Sequence, residues 1–184
     1  LDWAVVYVYP EIMENLPYIT DWSEERLLEM ADFKGKTVLD IGAGTGRLAF
    51  AAAPLAKVVY ASEPVDRLRE YMREKAKRLG VDNVRVLDGT VGELPFEDES
   101  FDIVMSGHVV GDNWDAELAE IDRVTKPGGW ILDCPGGGPG KRTLSEELVK
   151  RGFKYSHYVS KTGGDVYRYW SKKRRLTVEL QSNH

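Results

Sequence analysis

The order of apolar and polar segments along the chain predicts alternating strands and helices. Short, almost continuously apolar segments are typical of strands buried on both faces, whereas amphipathic segments with a period of 3.6 residues are typical of helices. The first five predicted strands cover 37–41, 57–62, 84–87, 101–106 and 130–134. The predicted helices between them cover 47–53, 65–79 and 116–124. This order predicts a parallel sheet with right-handed crossovers.

The end of the chain departs from this pattern. After a predicted helix over 144–151, two more strand-like segments, 153–160 and 165–171, are separated by a short Lys-Thr-Gly-Gly connection. A connection of this kind favours a β-hairpin over another crossover. The sequence therefore predicts an α/β fold, with a doubly wound, mostly parallel, seven-stranded sheet and a C-terminal antiparallel β-hairpin.

The length of 184 residues suits a single domain with one core. We expect one domain over 1–184, with an N-terminal helical or lid segment over 1–36, a core over 37–175 and a tail over 176–184. The aromatic residues of the first segment, up to Trp22, have two interpretations. They form a lid over a ligand site, or they pack in the core against a helix predicted over 23–31.

Composition excludes several classes of protein. No apolar run approaches the roughly 20 residues of a membrane span, and the chain does not begin like a signal peptide, so we expect a cytoplasmic protein. The single cysteine, Cys134, and three histidines do not form a metal-ligand pattern, so we expect no metal, and Cys134 is predicted to be buried. The formal charge of −5 argues against a nucleic-acid partner on electrostatic grounds.

The strongest local motif is Val-Leu-Asp-Ile-Gly-Ala-Gly-Thr-Gly over 38–46, a buried strand followed by three alternate glycines and a helix. Glycine allows positive φ and a close approach of a ligand to the backbone N–H groups. Such a loop is a tight structural turn or a phosphate loop of a dinucleotide-binding fold. Two details argue against a pyrophosphate: Arg47 replaces the third glycine of G-x-G-x-x-G, and Asp40 precedes Gly42. A carboxylate there favours an amino group or a sulfonium.

Glu63 stands at the end of the second predicted strand, 21 positions after Gly42. A carboxylate in this place can accept hydrogen bonds from both hydroxyls of a ribose, which suits an adenosine-containing cofactor. The alternative is a solvated glutamate at a strand end. The register of Glu63 with the glycine loop favours the first interpretation.

These segments, together with 94–104 (Leu-Pro-Phe-Glu-Asp-Glu-Ser-Phe-Asp-Ile-Val) and 124–132, resemble the successive motifs of class I S-adenosylmethionine-dependent methyltransferases. The resemblance is to the small, single-domain, type 11-like members and covers about 38–172. It implies a Rossmann-like fold, S-adenosyl-L-methionine as cofactor, and an enzyme that transfers a methyl group to an unidentified small-molecule acceptor by in-line substitution.

The resemblance also implies a set of cofactor-binding residues. Residues near the glycine loop would line the methionine end, Glu63 would hold the ribose, and Pro64 and Val65 would pack on the adenine. The acidic residue that often contacts the adenine amino group is replaced here by Thr90, with Asp88 two positions earlier; we favour Thr90 beside the Val91 backbone and leave Asp88 open. The full set is Asp40, Gly42, Gly44, Glu63, Pro64, Thr90, Val91 and Gly107.

The acceptor side is expected after the fourth strand, over 105–114. His108 is the candidate catalytic residue, as a base or as a group that orients the acceptor; the alternative is that it only borders the cofactor. Asp112 is expected to cap the next helix. The segment lacks the Asp/Asn-Pro-Pro-Tyr motif of enzymes that methylate nucleic-acid bases. The glycine-rich segment 136–140 is expected to be a flexible connection.

Two other functions stay open at this point. One is an NAD-linked oxidoreductase on the same fold, and the other is a non-catalytic cofactor-binding or sensor domain. The sequence leaves the oligomeric state undecided.

Overall fold

A seven-stranded mixed sheet forms the centre of the computed structural model, which describes residues 3–175. The strands are β1 (Thr37–Ile41), β2 (Val58–Ser62), β3 (Val84–Leu87), β4 (Phe101–Ser106), β5 (Thr125–Asp133), β6 (Lys154–Val159) and β7 (Asp165–Lys172). Their order in the sheet is β3-β2-β1-β4-β5-β7-β6. Strands β1 to β5 are parallel, and β7 is antiparallel to both β5 and β6. The predicted fold class is confirmed, and the predicted tail over 176–184 lies outside the described residues.

Helices form much of the segment before β1, and further helices connect the strands of the sheet. They are α1 (Trp3–Val8), a 3-10 helix (Pro10–Asn15), α2 (Pro17–Thr20), α3 (Glu25–Leu28), α4 (Arg47–Ala52), α5 (Asp66–Leu79), α6 (Trp114–Val124) and α7 (Glu146–Lys150). The cap of α6 is Asn113, whose side chain accepts a hydrogen bond from Ala116 N, so the expectation for Asp112 was wrong by one residue. Within the described range, none of these helices has the length and apolar character needed to cross a membrane.

Strand β5 and helix α3 differ most in length from the prediction. Strand β5 begins five residues before the predicted 130, because the Lys-Pro-Gly-Gly segment that resembles a turn forms a bulge inside the strand. Phe101 pairs with Thr125, yet Ile103 pairs with Trp130, so the intervening residues of β5 loop out of register. The helix predicted over 23–31 is reduced to α3.

The core lies on both faces of the sheet, because successive side chains of a strand point to opposite sides. Val38 and Val59 belong to the larger cluster, which packs under α3 and α4 and includes the fully buried Cys134. Leu39 belongs to the cluster on the other face, under α6. The first segment of the chain therefore contributes to the main core through Leu27, which is fully buried.

The glycine-rich segment 136–140 is not a flexible connection, and this expectation was wrong. Gly137 N donates to Tyr18 O at 3.1 Å, and Gly138 N donates to Asp21 Oδ2 at 3.2 Å. A Cβ atom on Gly137 would lie 1.7 Å from Asp21 O. Glycine is needed here because two backbone segments touch, so the composition reflects close packing.

The Asp21 carboxylate joins three parts of the chain that are distant in sequence. Besides Gly138, it accepts hydrogen bonds from the backbone N–H groups of Lys161 at 2.9 Å and Thr162 at 3.1 Å, in the β6–β7 turn. The Thr162 hydroxyl also donates to it. The bond from the Thr162 hydroxyl, together with those from the N–H groups of Thr162 and Lys161, lowers the pKa of Asp21 to about 2. The hydrogen bonds to Asp21 fix the N-terminal segment, the glycine-rich segment and the hairpin to one another.

Candidate functional site

A cavity of about 690 Å³ lies at the carboxyl ends of β1, β2 and β4. In open α/β sheets this edge is where ligands bind, because the order of the strands reverses there. Every site residue predicted from the sequence lines this cavity: Asp40, Gly42, Gly44, Glu63, Pro64, Thr90, Val91, Gly107 and His108. The structure therefore brings the predicted set together, while the role of each member stays a prediction.

The glycine loop after β1 requires glycine for two separate reasons. Gly42 and Gly44 have φ values of +63° and +60°, in the left-handed region that other residues rarely adopt. A Cβ atom on Gly42 would also lie 2.5 Å from Val109 Cγ1. The loop consequently presents bare backbone to the cavity.

Glu63 is held by the glycine loop itself. Its Oε1 accepts a hydrogen bond from Gly44 N and its Oε2 accepts one from Val65 N, each at 3.0 Å. Burial raises the pKa of the carboxyl, and the two N–H donors oppose that rise. Each carboxylate oxygen keeps a second lone pair, so Glu63 can accept further hydrogen bonds from a ligand.

Asp40 connects the cavity wall to α4. Its Oδ2 accepts a hydrogen bond from Ala49 N at 3.0 Å, which satisfies one N–H of the first turn of a helix whose own N-cap, Gly46, has no side chain. Burial raises the pKa of Asp40 to about 7, against the opposing effects of Arg47 and of the Ala49 bond. The group therefore changes charge near neutral pH.

Arg47 is a member of the site that the sequence analysis missed. Its Nη2 donates to Cys134 O at 2.7 Å and its guanidinium lies 4.5 Å from the Trp22 ring, while the buried Nη1 has no hydrogen-bond partner among residues 3–175. A Cβ atom on Gly107 would lie 2.6 Å from Nη2. One signal was available in the sequence. Arg47 is a cation in the first turn of α4, where the helix dipole favours anions, and such an unfavourable position indicates another role for the side chain.

The structure separates the two candidates for the adenine edge. Thr90 and Val91 line the cavity. Asp88 is not among its lining residues; its side chain is 72% exposed and lies 3.5 Å from Arg69 Nη1. Thr90, which the sequence analysis favoured, thus lies at the cavity. Asp88 instead forms a surface ion pair with Arg69.

His108 lies where the main cavity meets a second cavity of about 370 Å³. It has a φ of +72°, and its backbone N–H donates to Asp133 Oδ1 at 2.8 Å. Asp133, at the end of β5, was not predicted; burial raises the pKa of its carboxyl, and its Oδ2 has no partner in the described part of the chain. The bond to Asp133 fixes a backbone conformation at His108 that is unusual for a residue with a side chain.

The N-terminal segment contributes to the site and to the core. Tyr7, Met13 and Tyr18 line the main cavity, and burial raises the pKa of Tyr18 to about 12. Trp22 instead packs against the larger core cluster. Some residues of this segment thus line the cavity and others pack in the core, while a lid that closes over a ligand stays a prediction.

Comparison with known proteins gives a consistent family assignment for the core. A model of the family described as "Methyltransferase domain" matches residues 39–132. A demethylmenaquinone methyltransferase of Geobacillus kaustophilus is 34% identical over 116 residues, which is 60% of this chain and 50% of the relative. An uncharacterized methyltransferase of Bacillus subtilis, YcgJ, is 37% identical over 97 residues, 52% of this chain and 38% of the relative. The chain spans about half the length of the curated relatives it matches, or less.

Solved structures share the fold at low sequence identity. A SAM-dependent methyltransferase from Aquifex aeolicus superposes with a TM-score of 0.70 at 20% identity, covering 90% of this chain and 97% of the other. The YcgJ protein from Bacillus subtilis gives a TM-score of 0.64 at 18% identity, covering 83% and 98%. These likenesses support the fold class that the sheet order shows.

Proposed function

The chain belongs to the methyltransferase domain family, as its resemblance to class I S-adenosylmethionine-dependent methyltransferases indicated, and from this premise we propose that it transfers the methyl group of S-adenosylmethionine to a small-molecule acceptor. The observation that carries the proposal is the main cavity, where the glycine loop, Glu63 and Arg47 meet beside His108. A relative named demethylmenaquinone methyltransferase supports this class of acceptor. The cytoplasmic location and the single-domain division stay predictions.

The residues present fit the cofactor. The main cavity, at about 690 Å³, lies within the roughly 300–1,000 Å³ of typical ligand sites. S-adenosylmethionine carries a carboxylate, an amino group, a sulfonium and a ribose. Arg47, with its buried and unpartnered Nη1, suits the carboxylate, while Asp40 and Glu63 suit the cationic and hydroxyl groups.

The cofactor, when bound, supplies an activated methyl group, and the work of the protein is to align the acceptor with it. His108 borders both cavities, so its side chain is placed to orient the acceptor or to take its proton. The hydrogen bond from His108 N to Asp133 holds this residue in place. Tyr7 and Met13 of the N-terminal segment line the main cavity and reduce its contact with solvent when the cofactor is bound.

Titration calorimetry with S-adenosylmethionine, S-adenosylhomocysteine and NAD tests the cofactor. We expect saturable binding of the first two and none of NAD; absence of binding at millimolar S-adenosylhomocysteine would overturn the proposal, and NAD binding alone would indicate an oxidoreductase. A screen of small-molecule acceptors with tritiated methyl donor tests the reaction. Tight cofactor binding without turnover across the screen would favour a sensor domain.

A further inference from the structure

The second cavity adjoins the main one and has a wall of its own. The two cavities share His108, Pro135 and Arg142. The rest of the second cavity is formed by the segment after β4, the end of β5, α6, the segment before α7, α7 itself and β7. A molecule bound there would meet the main cavity at His108. The cavity is therefore placed to hold the compound that receives the methyl group.

Aromatic rings form part of its wall, and one of them is held in position by a hydrogen bond. Trp114, Tyr167 and Tyr169 line it together with Leu148. The Tyr169 hydroxyl oxygen accepts a hydrogen bond from Ser145 N at 2.7 Å, which fixes that ring. Rings of this kind favour a flat, apolar ligand by stacked or edge-to-face contacts.

The solvent side of the cavity carries positive charge without compensation. Lys141 and Arg142 line it and are exposed, and neither forms a salt bridge with any residue between 3 and 175. The one acidic residue in the lining, Asp133, is buried at the inner side and bonded to His108 N. Two unpaired cations at the rim attract an anion, and an arginine can bind a carboxylate through two parallel hydrogen bonds.

We propose that the second cavity binds the methyl acceptor, and that this acceptor is a small aromatic compound bearing a carboxylate; the inference rests on the proposed function. The aromatic ring lies between the Trp114 and Tyr167 sides, and the carboxylate contacts Lys141 and Arg142. The group to be methylated then faces His108 and the main cavity. A neutral acceptor would leave both cations without a partner.

The experiment is an NMR titration of the protein saturated with S-adenosylhomocysteine. The probes are benzoate, caffeate and protocatechuate, each compared with its uncharged amide, and the signal followed is the Trp114 indole N–H, assigned with the Trp114→Phe variant. We expect the carboxylates to bind more tightly than their amides and to shift the Trp114 signal.

Lys141→Gln is the decisive variant because Lys141 lines only the second cavity. It should weaken carboxylate binding roughly three- to fivefold. The double variant Lys141→Gln/Arg142→Gln should weaken it about tenfold. The matched control is Lys34→Gln, an exposed lysine before β1 at the opposite edge of the sheet. Affinity for S-adenosylhomocysteine should be unchanged in Lys141→Gln and in the control.

Several results would overturn the inference. They are equal binding of amides and carboxylates, no binding of any probe, binding that leaves the Trp114 signal unmoved, or an equal loss in Lys34→Gln. If S-adenosylhomocysteine itself fails to bind the unaltered protein, the proposed function fails instead, so the two failures are distinguishable.

Discussion

The Arg47 guanidinium donates a hydrogen bond to the carbonyl oxygen of Cys134, 2.7 Å away, and so joins the first turn of α4 to the residue after β5 at the main cavity. The position of the guanidinium depends on a residue without a side chain, because Nη2 occupies the space that a Cβ atom on Gly107 would take. The second terminal nitrogen, Nη1, is buried and has no hydrogen-bond partner among residues 3–175.

Gly107→Ala should therefore impair cofactor binding without straining the backbone, since Gly107 does not have positive φ. The new methyl group would lie 2.6 Å from Nη2 and displace the guanidinium. Loss of a charge-assisted hydrogen bond of about 1.5–3 kcal/mol corresponds to a fall in affinity of roughly tenfold or more. Calorimetry with S-adenosylhomocysteine measures this effect. Gly92→Ala adds a methyl group in open space and is the control; equal affinities in the two variants would contradict the prediction.

Glu63→Gln should weaken cofactor binding and also lower stability. The carboxylate accepts one hydrogen bond at each oxygen, from Gly44 N and from Val65 N, and an amide NH2 must face one of these donors. Leaving one of these partly buried N–H groups unsatisfied costs about 1 kcal/mol, the lower end of the range for buried donors. Urea unfolding and calorimetry measure the two effects. Glu93→Gln, at an exposed glutamate, serves as the control and should change neither.

Asp40 should make the stability of the protein depend on pH. Its pKa rises from 3.8 to about 7 on folding, so between these values the folded state holds a proton that the unfolded state releases. The free energy of unfolding contributed by Asp40 therefore falls as pH rises from about 4 to about 7, by at most about 1.4 kcal/mol per pH unit. The amide of Asp40→Asn does not titrate, so this variant should lack that part of the slope. Urea unfolding across this range compares the two proteins, and parallel profiles would refute the assignment.

Asp21 should make the stability of the protein rise with pH, in contrast to Asp40. Its hydrogen bonds, first among them the one from the Thr162 hydroxyl, lower its pKa from 3.8 to about 2. The stabilisation it gives is present above about pH 4 and is lost as pH falls toward 2. Asp21→Asn should lower the thermal midpoint of unfolding at neutral pH. It should also reduce the further fall of this midpoint between about pH 4 and pH 2. Thermal unfolding followed by circular dichroism measures both effects. The exposed Asp82→Asn is the control, and a midpoint equal to that of the control would count against the role of Asp21.

Local patterns were sufficient to predict the sheet and much of the site. The strand 37–41 and the helix before Gly80 are marked by residues within a few positions, and Gly80 ends α5 with a φ of +66° as expected. The glycine loop and Glu63 could be connected because the βαβ order places the ends of β1 and β2 side by side.

The features that were missed depend on contacts between distant parts of the chain. Arg47 and Cys134 are 87 positions apart, and Asp21 and Thr162 are 141 positions apart. Glycines at 136–140 give the same local signal whether they are mobile or packed against another backbone. Likewise, nothing near Asp133 in the sequence indicates that its carboxylate would bind the backbone of His108.

The contact between the glycine-rich segment and the N-terminal segment sets a lower limit on how far the protein can be shortened. A chain that began at β1 would keep the residues matched by the family model but would lose Tyr18 and Asp21. The N–H groups of Gly137 and Gly138 would then lose their acceptors, and so would the β6–β7 turn at Lys161. We therefore expect a chain that begins at β1 to be less stable than one that begins upstream of residue 18.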